Sequence, residues 1–228
     1  MNAKKPVAAY PFPQTVLWQR CQELQTAIAR DTELLAALGI SPATQAKFAN
    51  DTATFGEMDP DTVLVQEGAV VTAKKSTEEQ ALVTAIQVVM SRVGLKDDER
   101  TPAYKRFGAA HVSNLTEAAL HLAGTVVVKQ ATKYLADYAG VGLTQGLIDE
   151  VEKQNLAFVG GLTDRHDAGD TRASATDARI VFGNDLYQQG VAIGAAGVAQ
   201  WRFTDATKTN EYVLDPAVHS AVAVPPQP

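Results

Sequence analysis

Apolar residues return every three, four and seven positions along most of the chain, which is the period of one buried face of an α-helix. From about Thr15, the residues Leu17, Cys21, Leu24, Ile28, Leu35 and Leu38 form one such stripe. Gly39 supplies its C-terminal stop. Ser41 before Pro42 predicts a second helix start, because the serine oxygen accepts an orphan amide hydrogen and proline has none to lose. That short helix fades near Gly56. Asp59-Pro60 opens a longer one that runs to about Gly94. It carries a capping-box sequence at Ser76-Thr77-Glu78-Glu79, but Leu82, Ile86, Val89 and Val93 extend its period, so the helix is expected to be continuous.

Residues 96–113 mix charge with Pro102, Tyr104, Phe107 and Gly108, which predicts a crossing loop held by aromatic anchors. Asn114 or Thr116 then caps a fourth helix whose buried side is marked by Leu115, Ala119, Leu122, Val126, Tyr134 and Tyr138. Gly140 and Gly142 end it. A fifth helix starts near Thr144 and carries Leu147, Ile148, Val151, Phe158 and Leu162, before His166-Asp167-Ala168-Gly169-Asp170 predicts a turn. The sixth, over residues 173–199, holds Ile180, Phe182, Leu186 and Ile193. Its glycines Gly190, Gly194 and Gly197 predict a close approach by another helix. Gln200-Trp201-Arg202-Phe203 and Glu211-Tyr212-Val213-Leu214 alternate with period two around a polar stretch, which reads as a β-hairpin.

These elements predict an all-α fold, an elongated antiparallel bundle of about five to six helices over residues 15–199. An extended arm (1–14) with Tyr10 and Phe12 precedes it; a small C-terminal β-hairpin (200–215) and a Pro-rich tail (216–228) follow. Composition agrees with a packed core: 46% of residues are hydrophobic and 20% charged, so wholesale disorder is excluded. A formal net charge of -6 leaves no electrostatic footprint for a nucleic acid. The basic pairs Lys4-Lys5, Lys74-Lys75 and Lys105-Arg106 are scattered among acidic residues and read as solvated faces. No run approaches about 18 apolar residues, so no membrane span is expected. Pro6, Pro11 and Pro13 interrupt any signal-peptide core. Cytoplasmic residence is the default expectation, with export by a leaderless route left open.

Candidate chemistry is sparse. Cys21 lies in an apolar stripe and reads as core filler. Glu117 with His121, and His166 with Asp170, each stand one helical turn apart, yet neither pair has the matching ligands on other helices that a metal needs. The acidic groups Asp149, Glu150 and Glu152, and Asp97, Asp98 and Glu99, read as solvated faces. The Gly-x-Ser-x-Gly elbow and the phosphate-cradling glycine loops are missing from the sequence. No cofactor is expected.

Thr176, Arg179, Asn184-Asp185-Leu186-Tyr187, Gly194, residues 201–203 and the closing Asn210-Glu211-Tyr212-Val213-Leu214 resemble the C-terminal part of a group of uncharacterised bacterial helical-bundle proteins. The resemblance covers about the last fifth of the chain. It implies a bundle capped by a terminal β-hairpin and brings no activity. In plain structural terms, Arg179 is expected to pair with a carboxylate and Tyr187 to bury its ring. The resulting expectation is a noncatalytic structural or self-assembly protein that contacts copies of itself or another protein. The contacts would run through Tyr10, Phe12, Trp201, Phe203 and Tyr212. The alternative is a small-molecule or lipid-binding bundle with a cavity lined by Val126, Tyr134, Phe182 and Ile193; an enzyme stands third.

Overall fold

A computed structural model describes residues 5–109 and 111–215. Among them every regular element is helical: α1 (Gln14–Arg30), α2 (Thr32–Ala37), α3 (Pro42–Glu57), α4 (Asp61–Gly94), α5 (Pro102–Lys105), α6 (Glu117–Lys133), α7 (Leu135–Tyr138), α8 (Gln145–Trp201) and α9 (Ala206–Glu211). Short 3-10 turns occur at Val112–Asn114 and Ala139–Val141. The chain divides into two compact units, one made of Met1–Asp61 with Ala173–Pro228 and the other of Thr62–Arg172. The expected Pro-rich tail, 216–228, lies outside the described residues.

In the first unit the predicted stripe is the core. Leu17, Cys21, Leu24 and Ile28 of α1 meet Phe48 and Phe55 of α3 and Leu186 and Ile193 of α8. Ser41 caps α3 as its sequence requires, accepting the Thr44 amide at 3.2 Å with Pro42 in the first turn. The stripe is not one helix, however. The chain breaks at Asp31, and Leu38 stands exposed beyond the break. Gln45 fixes this corner by donating its side-chain amide to the carbonyls of Thr32 and Ile40.

Arg179 is buried without the carboxylate expected for it. Its guanidinium donates to Gln14 Oε1 at 2.7 Å, to the Phe55 carbonyl at 3.0 Å and to the Met58 carbonyl, and it lies over the Phe55 ring. It therefore takes up carbonyls at the C-terminal end of α3, where the helix dipole favours a cation. Burial pulls its pKa down from the ordinary value.

The predicted β-hairpin is absent. α8 runs to Trp201, and the polar stretch read as a hairpin turn forms α9 instead, because Asp205 is an N-cap that accepts the Lys208 amide at 3.0 Å. Gly190, Gly194 and Gly197 of α8 meet this segment, and Gly190 also meets Phe48 of α3. A Cβ on Gly190 would lie 2.6 Å from Leu214, one on Gly194 would strike the Tyr212 carbonyl, and one on Gly197 would enter the Tyr212 ring. Residues 205–215 thus form a strap laid along a glycine face of α8.

In the second unit α4, α6 and α8 enclose a core of Leu82, Ile86, Val89, Val93, Leu120, Val127, Ala131, Ile148, Val151 and Phe158. α4 is continuous through Ser76-Thr77-Glu78-Glu79, as its apolar period predicts. Thr116 caps α6. The buried side of α6 is Leu120, Ala123, Val127 and Ala131, one position round from the predicted stripe, and Leu122 points to solvent. The connecting segment is anchored by aromatics as expected: Phe107 is fully buried, edge-on to Tyr138.

The predicted turn at 166–170 does not exist, since α8 passes through it unbroken. No proline lies in residues 145–201, and polar residues there are simply solvated on a helix. His166 Nε2 stands 3.5 Å from Asp170 Oδ2, one helical turn along.

Glycine positions on α8 separate two outcomes. Gly194→Ala should cost roughly 1–3 kcal/mol through overpacking, despite the gain in helix propensity. Gly160→Ala meets nothing within 4 Å and should gain up to about 1 kcal/mol. Urea denaturation of the two variants tests this, and equal shifts of the same sign would contradict the strap contact.

Candidate interaction site

Four of the five residues expected to reach other subunits are engaged inside the first unit. Ala9 N–H donates to Asn184 Oδ1 at 2.7 Å, and Asn184 Nδ2 donates to the Val7 carbonyl at 2.9 Å. One asparagine amide on α8 therefore pairs with the arm backbone much as a strand would. The pairing seats Tyr10 and Phe12 against Tyr187 in a trio with ring centres 5.7–6.0 Å apart, a spacing at which aromatic rings attract. Tyr10 is buried, and Gly183 leaves room for its hydroxyl.

Trp201 and Tyr212 converge on Asp31, at the break between α1 and α2. The Asp31 carboxylate accepts from Arg30 Nε and Nη2 at 3.1 and 2.8 Å, from Trp201 Nε1 at 3.2 Å and from the Tyr212 hydroxyl at 2.9 Å. The same hydroxyl lies 3.2 Å from the Ala27 carbonyl. Arg30 also reaches Glu211 at 2.5 Å, and Lys208 sits 3.9 Å from the centre of the Trp201 ring. Hydrogen bonds from Arg30 outweigh burial and hold the Asp31 carboxyl below its ordinary value. Burial, with Asp31 beside it, pushes the Tyr212 phenol up, so it remains a donor. Phe203 is the exception among the five, 86% exposed in the turn before the strap.

The second unit holds an apolar groove that sequence reasoning missed. α4 and α8 touch at Gly161, where a Cβ would stand 3.3 Å from Lys75 Cα. Elsewhere along the pair they enclose an open groove of about 680 Å³. Ala81, Thr84, Ala85 and Val88 form one wall and Leu147, Glu150 and Gln154 the other, and Glu150 is the one charged residue among those lining it. These α4 positions interleave with the core positions 82, 83, 86, 89 and 90, so the helix has two apolar faces. The signal was available in the small and β-branched residues of this second face, which the single stripe at 82, 86, 89 and 93 overlooks.

The chemical candidates are spent on structure. Glu117 is held by Lys75 at 2.8 Å and by both nitrogens of Arg165 at 2.8 and 3.1 Å, which keeps its carboxyl below the usual range. His121 faces Asn155 at 3.0 Å, and Asn155 donates on to Thr125. Asp97 accepts the Tyr138 hydroxyl at 2.5 Å, and burial with this carboxylate pushes the phenol to about 12. Cys21 is fully buried and its thiol is pushed up to about 12, so it stays protonated and inert. His111 lies in the connecting segment with φ 55°, and His219 is outside the described residues. Among the described residues no group of three or more His, Cys, Asp or Glu is placed to hold a metal ion. None of their helices is long and apolar enough to cross a membrane.

The four residues expected to line a cavity fall in different units. Phe182 stacks on Phe55 and Ile193 is fully buried in the first unit, while Val126 and Tyr134 belong to the second. Large side chains fill the core beside Phe182 and Ile193.

The Asp31 cluster has a definite pH signature. A carboxyl held low contributes its full stabilisation above its unfolded pKa, about 4, and loses it as pH falls through the folded value. Asp31→Asn should cost roughly 1–3 kcal/mol at pH 7, and its gap from the unaltered protein in urea midpoint should narrow below pH 4. A gap that stays constant to pH 3 would show that the carboxylate charge is not what holds the cluster. The chain matches no protein-family model, no curated protein and no solved structure, so its own geometry is what any reading of its function has to stand on.

Proposed function

We propose that this chain is a noncatalytic assembly protein that docks an amphipathic helix of a partner protein, or of another copy, in the α4–α8 groove. The observation that carries this reading is the groove itself, an uncovered apolar face with one charge on its lining, in a chain where one residue in five is charged. Three helices, α4, α6 and α8, already surround the core of the second unit. A fourth laid between α4 and α8 would complete a four-helix arrangement. Small residues at Ala81 and Ala85 admit a close helix, and Val88 and Leu147 supply apolar contact. Recognition of this kind reads apolar anchors at helical spacing on the incoming segment.

A second reading is favoured by the groove's size. A volume of about 680 Å³ lies in the range typical of small-molecule sites, roughly 300–1,000 Å³, and its lining suits an acyl chain or another apolar ligand. Native mass spectrometry separates the two, because a retained ligand adds a discrete mass that an empty groove lacks.

Thr84→Glu and Val88→Glu place a charge in the groove at exposed positions outside the core. Each should lower the mass measured by light scattering while leaving helical circular dichroism unchanged. A particle of the same mass in both variants would remove the groove from the assembly, and a monomer at every concentration before substitution, with no partner retained, would remove the assembly reading.

A further inference from the structure

We infer that the C-terminal strap, residues 205–215, is exchanged between two copies of this chain, so that Tyr212 of one copy seats on Gly194 and Gly197 of the other. The occupant of this surface is defined because the chain's own strap already fits it. Tyr212 and Leu214 fill spaces that only glycine leaves open on α8, and Glu211 and Tyr212 are held by Arg30 and Asp31. A second copy presents the same glycine face and the same two charged groups.

The turn before the strap can change state. Its four residues, Arg202-Phe203-Thr204-Asp205, include no glycine and no proline, so nothing in them forbids continued helix. The turn is held by the Thr204 and Asp205 amides on the Trp201 carbonyl at 2.9 and 2.8 Å and by the Asp205 cap on Lys208 at 3.0 Å. Continued helix keeps the Asp205 bond, which already spans four residues, and replaces the Thr204 bond with an ordinary helical one, at the loss of one N-cap. α8 would then run straight into α9 and carry the strap off its own unit. The seat that each strap leaves on its own copy is filled by the strap of the other, which is why exchange of an identical element is a low-cost route to dimers.

Phe203 gives a second, independent indication. It stands 86% exposed, with the Arg202 guanidinium 4.7 Å from its ring centre. Exchange brings two such turns together, and Phe203 is the apolar side chain placed to join them. This inference rests on the assembly reading but not on the α4–α8 groove.

The experiment uses the full chain with Arg30→Cys and Glu211→Cys, two half-exposed positions whose side chains meet, treated with a short bismaleimide. Buried Cys21 does not compete. Denaturing electrophoresis should show covalent dimers that dilution before refolding reduces severalfold. Thr204→Ala with Asp205→Ala, which favours continued helix, should raise the dimer fraction severalfold. A Gly-Gly insertion after Phe203 should lower it. Internal crosslinks alone, in a particle that light scattering shows to be oligomeric, would overturn the exchange and leave the groove as the joint. Internal crosslinks alone in a monomer would overturn both.

Discussion

In each unit the chain is brought to the backbone of α8 at glycines, and the rest of the packing is arranged around those approaches. Gly161 brings α4 against α8 in the second unit. In the first, Gly183 receives the Tyr10 hydroxyl and the Phe55 ring, and Gly190, Gly194 and Gly197 receive the strap. A side chain at any of these positions would hold the incoming segment away by the width of a methyl group or more. Helix propensity argues against glycine at each of them. The loss is offset by dense contact between aromatic rings and a bare helix surface, where dispersion forces and burial are both strong.

Charge is the second organising element. Asp31 has little access to water and accepts from one guanidinium, one indole and one phenol. Its position at a helix break joins three parts of the chain remote in sequence: the end of α1, the end of α8 and the strap. Arg179 has the complementary task, occupying carbonyls that the end of α3 leaves open. In both cases a charge with little access to water is tolerated because hydrogen bonds replace the water it gave up.

The functional reading follows from which apolar surface is spent and which is left. The aromatics of both terminal segments look like interaction residues in one dimension, yet Tyr10, Phe12, Trp201 and Tyr212 are consumed by packing within their own unit. Phe203 and the α4–α8 groove remain uncovered. Uncovered apolar surface of this kind marks contact with another molecule more readily than catalysis.

Local chemistry made part of this protein legible in its sequence. The Ser41-Pro42 start of α3, the Thr116 cap of α6, the continuity of α4 and the buried stripe at Leu17, Cys21, Leu24 and Ile28 all follow from residues within a turn or two of one another. Other features needed the third dimension. Residues 166–170 look like a turn because they are polar, but a polar segment without proline continues as helix when the chain on both sides is already helical. The alternation around residues 200–214 has too few positions to separate a strand from a helical turn, and the Asp205 cap together with the glycine face of α8 selects the helix. The expectation of a buried Leu122 failed by one position, because which side of α6 is covered depends on where α4 and α8 lie. Periodicity along the chain determined which segments are helices, since it reports local burial; only tertiary packing decided what each apolar face meets, because partners distant in sequence leave no periodic mark.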